Sequence, residues 1–383
     1  ALSILSVGIC TSLMLFTGGF CRERPKPAPA HIPATWPDVV AVIPARNEAD
    51  VIGQSMAALL AQDYPGKFTA ILVDDNSSDG TGAVAERLVG DGNGSRRLAV
   101  IRNEALPQGW TGKLWAVHRG LAEAERLAPE AKYVLLTDAD ILHGKSSLRH
   151  LVARAEQGGL KLVSLMARLK TATVAEKALI PAYIFFFQKL YPFSWVNDPQ
   201  HKVAGAAGGC MLAERAALSE IGGIAAIRDR LIDDCALGKA MKAKGPIWLG
   251  LAEDVVSLRG YPRWRDVWML VARSACTQLG FSAMMLGVTV LSMTATYVLG
   301  PALFLFDTGA AHFAGALATV MMLFAYQPTL RYYRLSPGWA LALPAVAMFY
   351  TAATVDSALR YWSGRGGAWK GRFQAQGSTI GGS

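Results

Sequence analysis

Three acidic clusters are the residues of this chain best suited to chemistry. Asp74 and Asp75 follow the apolar run 69–73, TAILV; Asp138 and Asp140 sit in 137-TDAD-140 after the run YVLL; Asp233 and Asp234 open 232-IDDCALG-238. Two carboxylates one residue apart at a strand-end turn can face a single divalent ion, and Mg2+ or Mn2+ suits such oxygen-rich sites. Held by Asp138 and Asp140, the ion would bridge diphosphate oxygens and offset the charge on a departing nucleoside diphosphate. A bare Asp-x-Asp is frequent in calcium loops and surface turns. Its place after an apolar strand-like run favours the metal.

Asp234 is the preferred general base. Within reach of a hydroxyl, its carboxylate would take the proton as that hydroxyl attacks an anomeric carbon, with Asp233 orienting the loop or acceptor. One base and one attack invert the anomeric configuration. The competing reading makes this pair an N-cap before 235-CALGKAMKAKG-245, where aspartate stabilises a helix without catalysis.

The remaining candidates surround a nucleotide. Asp74 and Asp75 could accept hydrogen bonds from a base or ribose, or simply cap the turn 74-DDNSSDG-80. In 43-IPARNEAD-50, backbone N–H groups from Ala45 onward would meet phosphate. Arg46 has a phosphate role or a structural ion pair, and Glu48 a ribose or uracil contact. Lys113 would neutralise phosphate, and the glycines of 207-AGGCML-212 allow close backbone approach. Arg263 and Trp264 would supply a cation near the diphosphate and an aromatic wall for a sugar or lipid head; interfacial anchoring explains them equally well. His118 belongs on a polar helix face rather than among ligands.

Positioning these groups requires strands that end together. The apolar pattern predicts strands at 39–43, 69–73, 98–102 and 133–137, with helices at 50–62, 81–89 and 112–129. That alternation argues for a mostly parallel α/β sheet with helices on its faces and binding at the C-terminal strand ends.

Composition adds a membrane. The hydrophobic fraction is 52% and the charged fraction 17%, and charges crowd between 38 and 266 before nearly vanishing until Arg331. Residues 1–20 carry no charge and read as a transmembrane anchor; a signal peptide would need a basic start and a small-x-small cleavage site. Residues 21–37 form a proline-rich linker, and 38–266 the catalytic domain. Residues 173–196 suggest an interfacial segment, with a core helix as the alternative, and 267–280 an interfacial helix. Uncharged stretches at 281–306, 308–330 and 335–355 predict three spans within a membrane domain at 281–360, followed by a polar tail at 361–383.

Arg22, Arg24 and Lys26 place the following domain on the cytoplasmic side. Three later spans would then leave the tail outside, whereas Arg360, Arg365, Lys370 and Arg372 favour an inside tail. A re-entrant segment or an interfacial last helix would reconcile the two. The balance of 38 Lys+Arg against 29 Asp+Glu gives +9, which fits membrane topology and anionic headgroups. No compact basic-aromatic motif points to nucleic acid, and no protein partner is identifiable. Five cysteines, odd in number and widely spaced, argue against a disulfide framework or a structural zinc.

In order, PARNE at 44–48, VDDNSSDGT at 73–81, GKLWA at 112–116, TDAD at 137–140, AGG at 207–209, IDDCALG at 232–238 and PRW at 262–264 resemble the family 2 inverting glycosyltransferases of the GT-A fold. The resemblance covers roughly 38–266. It implies an α/β GT-A nucleotide-sugar transferase domain, a donor that is commonly UDP-linked, and a divalent metal. It also implies nucleoside contacts at Asp75 and Glu48, a donor-metal motif at Asp138 and Asp140, and the base at Asp234. The family's usual Glu-Asp pair is Asp-Asp here. Its Gln-x-x-Arg-Trp pattern reads 260-GYPRW-264, with Gly260 in place of glutamine. That departure disfavours processive polysaccharide synthesis and favours transfer of one sugar to a membrane lipid hydroxyl.

Within the family, the similarity is nearest to hopanoid-associated glycosyltransferases, through PARNEADVI at 44–52, 271-VARSACTQL-279 and 369-WKGR-372. It implies a bacterial inner-membrane enzyme acting on a hopanoid or another polyisoprenoid lipid. Similar domain plans serve ceramides, carotenoids and exopolysaccharides. A nonenzymatic membrane scaffold is disfavoured, because three separately placed acidic clusters argue for chemistry.

Overall fold

In the computed structural model, residues 2–29, 32–89, 96–364, 368, 369, 372 and 373 are described. The chain divides into two units, one built on a sheet and one on helices. The sheet unit comprises Pro25–Leu169 and Val196–Arg259, with the C-terminal segment from Trp369.

Its eight strands are β1 (Val39–Ala45), β2 (Phe68–Asp74), β3 (Arg96–Arg102), β4 (Tyr133–Thr137), β5 (Ile141–Leu142), β6 (Leu162–Arg168), β7 (Cys210–Glu214) and β8 (Ile247–Ser257). They lie in the order β3-β2-β1-β4-β7-β6-β8-β5. Strands β1 and β2 are buried at every position, which explains why they read as unbroken apolar runs rather than alternating ones. Fully burying each Val, Leu or Ile contributes about 1.5–3 kcal/mol. Ile43, Leu72, Leu135 and Leu212 sit in one continuous core.

The block β3-β2-β1-β4 is parallel, as expected. Beyond it the sheet is mixed. Strand β7 runs antiparallel to β4 and β6, and β5 antiparallel to β8, while β6 and β8 are parallel. The chain enters β7 at Cys210 opposite Thr137, the last residue of β4, so it must run back down the sheet. Ala45 stands opposite Asp74 in the register of β1 and β2. The polar loops therefore gather where the parallel strands end.

The helical unit comprises the first 24 residues, Lys170–Trp195 and Gly260–Ala368. Its first helix, Leu2–Phe16, has 15 residues and a length of about 22 Å. Gly18 and Gly19, both left-handed, follow it and end the helix before residue 20.

Helix Val174–Leu190 starts with a Thr173–Glu176 capping box and contains Pro181. Its Phe185 is buried 5.1 Å from the ring of Tyr326. The 267–280 region forms two short helices, Trp264–Ala272 and Ala275–Gln278.

Two helices, Gly309–Tyr332 and Pro337–Trp362, are long and apolar enough to cross a membrane. The first of the three expected spans is a pair, Ala283–Tyr297 and Leu299–Phe306, bent by 41°: a broken third span or a re-entrant loop by length and composition. Pro301 lies just past the break; lacking an N–H, it cannot bond the carbonyl of Tyr297. Leu291, Phe306, Phe313 and Leu341 are exposed on these helices, a surface suited to lipid rather than water. Most of the expected tail at 361–383, including Lys370 and Gly371 of the WKGR run, lies outside the described residues.

Candidate active site

The turn between β4 and β5 is held at every residue. The N–H of Asp138 donates to the carbonyl of Gly209 at 3.3 Å, and the N–H of Leu258 donates to the carbonyl of Asp140 at 2.7 Å. Ser55 Oγ donates to the Ala139 carbonyl at 2.6 Å, and Thr137 Oγ1 to the Gly209 carbonyl at 2.8 Å. A turn so pinned presents its two aspartates without further ordering cost.

Each aspartate has its own cation. Lys113 Nζ lies 2.9 Å from Asp138 Oδ1 and 3.2 Å from Asp233 Oδ2, so one ammonium joins the second acidic cluster to the third. Helix Gly112–Leu127 delivers it from its first turn, where Thr111 caps the N-terminus by accepting the N–H of Leu114. Burial alone would lower the Lys113 pKa, but the carboxylates of Asp138 and Asp233 raise it above the ordinary lysine range. Burial raises Asp138, with Asp140 and Asp233 adding to it and Lys113 opposing. Asp140 Oδ2 accepts from Ser257 Oγ at 3.1 Å and from Arg259 Nε at 3.1 Å.

Asp234 accepts the N–H of Gly208 at 3.0 Å through Oδ2 and that of Cys235 at 2.7 Å through Oδ1. Burial first, and then the neighbouring Asp233 charge, push its carboxyl up to about 6, against the pull of Lys113. Asp233 and Asp234 occupy the first turn of helix Asp233–Lys242, where negative charge favours the helix; the N-cap is Ile232 with no side-chain cap, so the pair is not the N-cap of the competing reading. Lys113, Thr137, Asp138, Gly208 and Asp233 line one shallow cleft.

The nucleotide-side candidates are bound to one another. Ala45 ends β1, and its carbonyl accepts the N–H of Asp75 at 2.8 Å. Arg46 Nη1 donates to the carbonyl of Asp75 at 2.6 Å and lies 3.5 Å from its Oδ2, so the ion-pair alternative for Arg46 is the one formed. Asp75 is fully buried and also accepts from Asn103 Nδ2 at 2.9 Å. Asp74 Oδ1 accepts the N–H of Ser77 at 2.9 Å, which is the turn-capping role. Asn47 and Asn76 take left-handed backbone, tolerated by asparagine, and Asn47 Oδ1 accepts the Ser78 N–H at 2.9 Å. The two loops thus lock each other.

Glu48 supplies its N–H to Thr81 Oγ1 at 2.8 Å, while its Oε1 lies 2.5 Å from Arg259 Nη2. Arg259 was not among the candidates, yet it joins Glu48 to Asp140. Its only sequence signal is a basic residue directly before 260-GYPRW-264.

His143, also unforeseen, is buried with Nε2 2.9 Å from Thr137 Oγ1. Since Thr137 gives its own proton to Gly209, it accepts from an Nε2–H tautomer. Burial holds that ring down at about 4. His118 lies in a ring cluster with Trp110 and Trp115, at 4.8 and 5.4 Å.

Arg263 and Trp264 belong to the helical unit. There Arg263 Nη2 pairs with Asp266 Oδ1 at 3.0 Å, and Trp264 is half exposed.

Among the described residues no three His, Cys, Asp or Glu side chains gather as a ready cage for a metal. Asp138 and Asp140 offer two carboxylates. That donor set fits Mg2+ or Mn2+, which keeps its other positions for water and phosphate oxygens.

The model of glycosyl transferase family 2 matches residues 40–222. The Beta-monoglucosyldiacylglycerol synthase of Trichormus variabilis is 25% identical over 227 residues, 58% of this chain and 45% of that protein. That of a Synechocystis species is 34% identical over 118 residues, 30% of this chain and 22% of that protein. The chain thus spans less than half the length of these curated relatives. Among solved structures, the mannosyltransferase PcManGT from Pyrobaculum calidifontis, in complex with GDP-Man and Mn2+, superposes with a TM-score of 0.55 at 18% identity, over 95% of this chain and 99% of that one. That likeness concerns the fold. By sequence, residues 40–222 are similar to glycosyl transferase family 2, and the fold is like that of the solved mannosyltransferase.

Proposed function

We propose that this protein is an inverting glycosyltransferase that moves one sugar from a nucleotide-sugar, UDP-linked, to a hydroxyl of a membrane lipid. The observation that carries this reading is Lys113, which gathers Asp138 and Asp233 beside Asp234 at the ends of the parallel strands. In the reaction, Asp234 takes the proton from the acceptor hydroxyl as its oxygen bonds to the anomeric carbon. The bond from that carbon to the diphosphate oxygen breaks on the opposite face, so the configuration inverts. Asp233 and the Gly208 N–H keep the base oriented, while Glu48 and Asp75 provide acceptors on the nucleoside side.

Mg2+ or Mn2+ held by Asp138 and Asp140 would supply positive charge for the diphosphate leaving group. The GDP-Man and Mn2+ bound to the structural neighbour support both the donor class and the metal. The apolar helices Gly309–Tyr332 and Pro337–Trp362 support a membrane setting, and the relatives named as Beta-monoglucosyldiacylglycerol synthases support a lipid acceptor. The basic residues Arg22, Arg24 and Lys26 favour a cytoplasmic catalytic domain on a bacterial inner membrane. For the acceptor, a diacylglycerol-type lipid is favoured by those relatives, and a hopanoid or other polyisoprenoid by the motif resemblance.

The test is direct. Purified protein is incubated with UDP-glucose, UDP-N-acetylglucosamine or GDP-mannose and with diacylglycerol, hopanoid or polyisoprenoid extracts, with and without Mg2+ or Mn2+. Mass spectrometry should find one lipid class heavier by a single sugar. Sugar transfer to none of these lipids, with intact donor consumed nowhere, would refute the reading.

A further inference from the structure

Both aspartates of the 138–140 motif are occupied by protein cations. Lys113 holds Asp138, and Arg259 holds Asp140 while also reaching Glu48. The two cations come from different parts of the sheet unit, one from the start of a helix and one from the residues after β8. Arg259 spans two acids through Nε and Nη2 of its planar fork, and Lys113 likewise bridges Asp138 and Asp233 with one ammonium.

Resting on the nucleotide-sugar reading above, we infer that Arg259 and Lys113 are stand-in cations. They surrender Asp138 and Asp140 when a divalent ion enters, and then become the partners of the donor diphosphate.

The argument is one of charge balance. Glu48 and Asp140 are largely buried, and leaving such carboxylates uncompensated is costly. Arg259 supplies that compensation, as Lys113 does for Asp138. A divalent ion arriving alone must break both pairs and face two displaced cations at short range. A diphosphate arriving alone meets Glu48, Asp138 and Asp140. Arriving together, each relieves the other: the ion takes the carboxylates, and the released guanidinium and ammonium take phosphate oxygens in charge-assisted hydrogen bonds. Metal and nucleoside diphosphate therefore bind with positive coupling, and linkage makes the effect the same in both directions.

The experiment measures Mn2+ binding to the full chain in detergent, by electron paramagnetic resonance of the free ion, with no nucleotide and with saturating UDP or GDP. For the unaltered protein, one nucleotide should tighten Mn2+ by about tenfold or more. Arg259→Gln should bind Mn2+ alone about tenfold more tightly than the unaltered protein, and the nucleotide-induced gain should largely vanish. Arg259→Lys keeps the charge on Asp140 and should stay close to the unaltered protein for Mn2+ alone. Lys113→Gln gives the same two signatures from the other carboxylate, so a misfolded Arg259→Gln still leaves the inference open to refutation. Folded variants that bind Mn2+ alone no better than the unaltered protein, with the nucleotide gain intact, would overturn the inference while leaving the nucleotide-sugar reading in place. If the unaltered protein binds neither nucleotide with Mn2+, that reading fails and takes the inference with it.

Discussion

The carboxylate of Asp234 hangs from the N–H of Gly208 at 3.0 Å. The next residue, Gly209, uses its carbonyl to hold Thr137 and the N–H of Asp138. The proposed base and the donor-metal motif are thus set by one glycine turn. A Cβ at Gly208 would stand 3.4 Å from Asp234 and 3.5 Å from Lys113 Nζ, in ordinary van der Waals contact with both, so this turn lies directly against the two groups. Asp234→Asn keeps the shape and removes the proton acceptor. It should lower transfer by roughly 10²–10⁴-fold while retaining donor binding, measured by labelled-sugar transfer and by calorimetry. Full transfer by this variant would end its role as base.

Because the Asp234 carboxyl sits up at about 6, its ionised form is lost as pH falls through that value. The rate at saturating donor should therefore rise from pH 5 and level off above about 7. Asp233 is the second cause of the raised value, after burial, so Asp233→Asn should move the midpoint downward. A rate that does not change between pH 5 and 8 would contradict this account.

The parts of the site that were legible in the sequence are those where a local run carries its own boundary. Strands β1, β2 and β4 are continuous apolar stretches because both faces are covered, and each ends in the polar residues that matter. Strand β5 has only two residues, and β8 interrupts its apolar run with exposed Glu253 and Asp254, so neither announced itself. Arg259 could not be read from its neighbours, since its partners lie 119 and 211 residues away. His143 lies six residues from Thr137, but what makes it a neutral hydrogen-bond donor is burial, a property of the folded chain. The helix over 1–20 was overextended because a charge-free composition does not register the left-handed Gly18 and Gly19.

His143 gives the sheet unit a pH-dependent stability with a definite sign. Its ring is held at about 4, from an ordinary value of 6.5, by burial. The unfolded chain therefore binds a proton between those values that the folded chain does not. The stabilisation is fully present above about 6.5 and is lost as pH falls toward 4, amounting to about 3 kcal/mol. Denaturant unfolding at pH 7 and pH 5 should show the loss. His143→Gln, which can still offer an N–H toward Thr137, should flatten the dependence. An equal loss of stability in both proteins would point to other groups.

In the helical unit, Glu176 limits the room for a side chain at Gly260. Its carboxylate is buried and accepts the N–H of Tyr261 at 2.7 Å through Oε1, and those of Ala172 at 2.8 Å and Thr173 at 3.0 Å through Oε2. A Cβ at Gly260 would sit 3.2 Å from Oε1, tighter than an ordinary contact, so a side chain there must push the carboxylate away from its three donors. Gly260→Gln should therefore lower the melting temperature. Glu176→Ala should do so as well, through a loss of about 1–3 kcal/mol of stability, because the buried N–H groups lose their acceptor. The two substitutions share one cause. In the double variant Gly260→Gln should cost far less than it does alone, since the carboxylate it displaces is already gone. Strict additivity of the two losses, measured by thermal melts in one detergent, would show that Gly260 and Glu176 act independently.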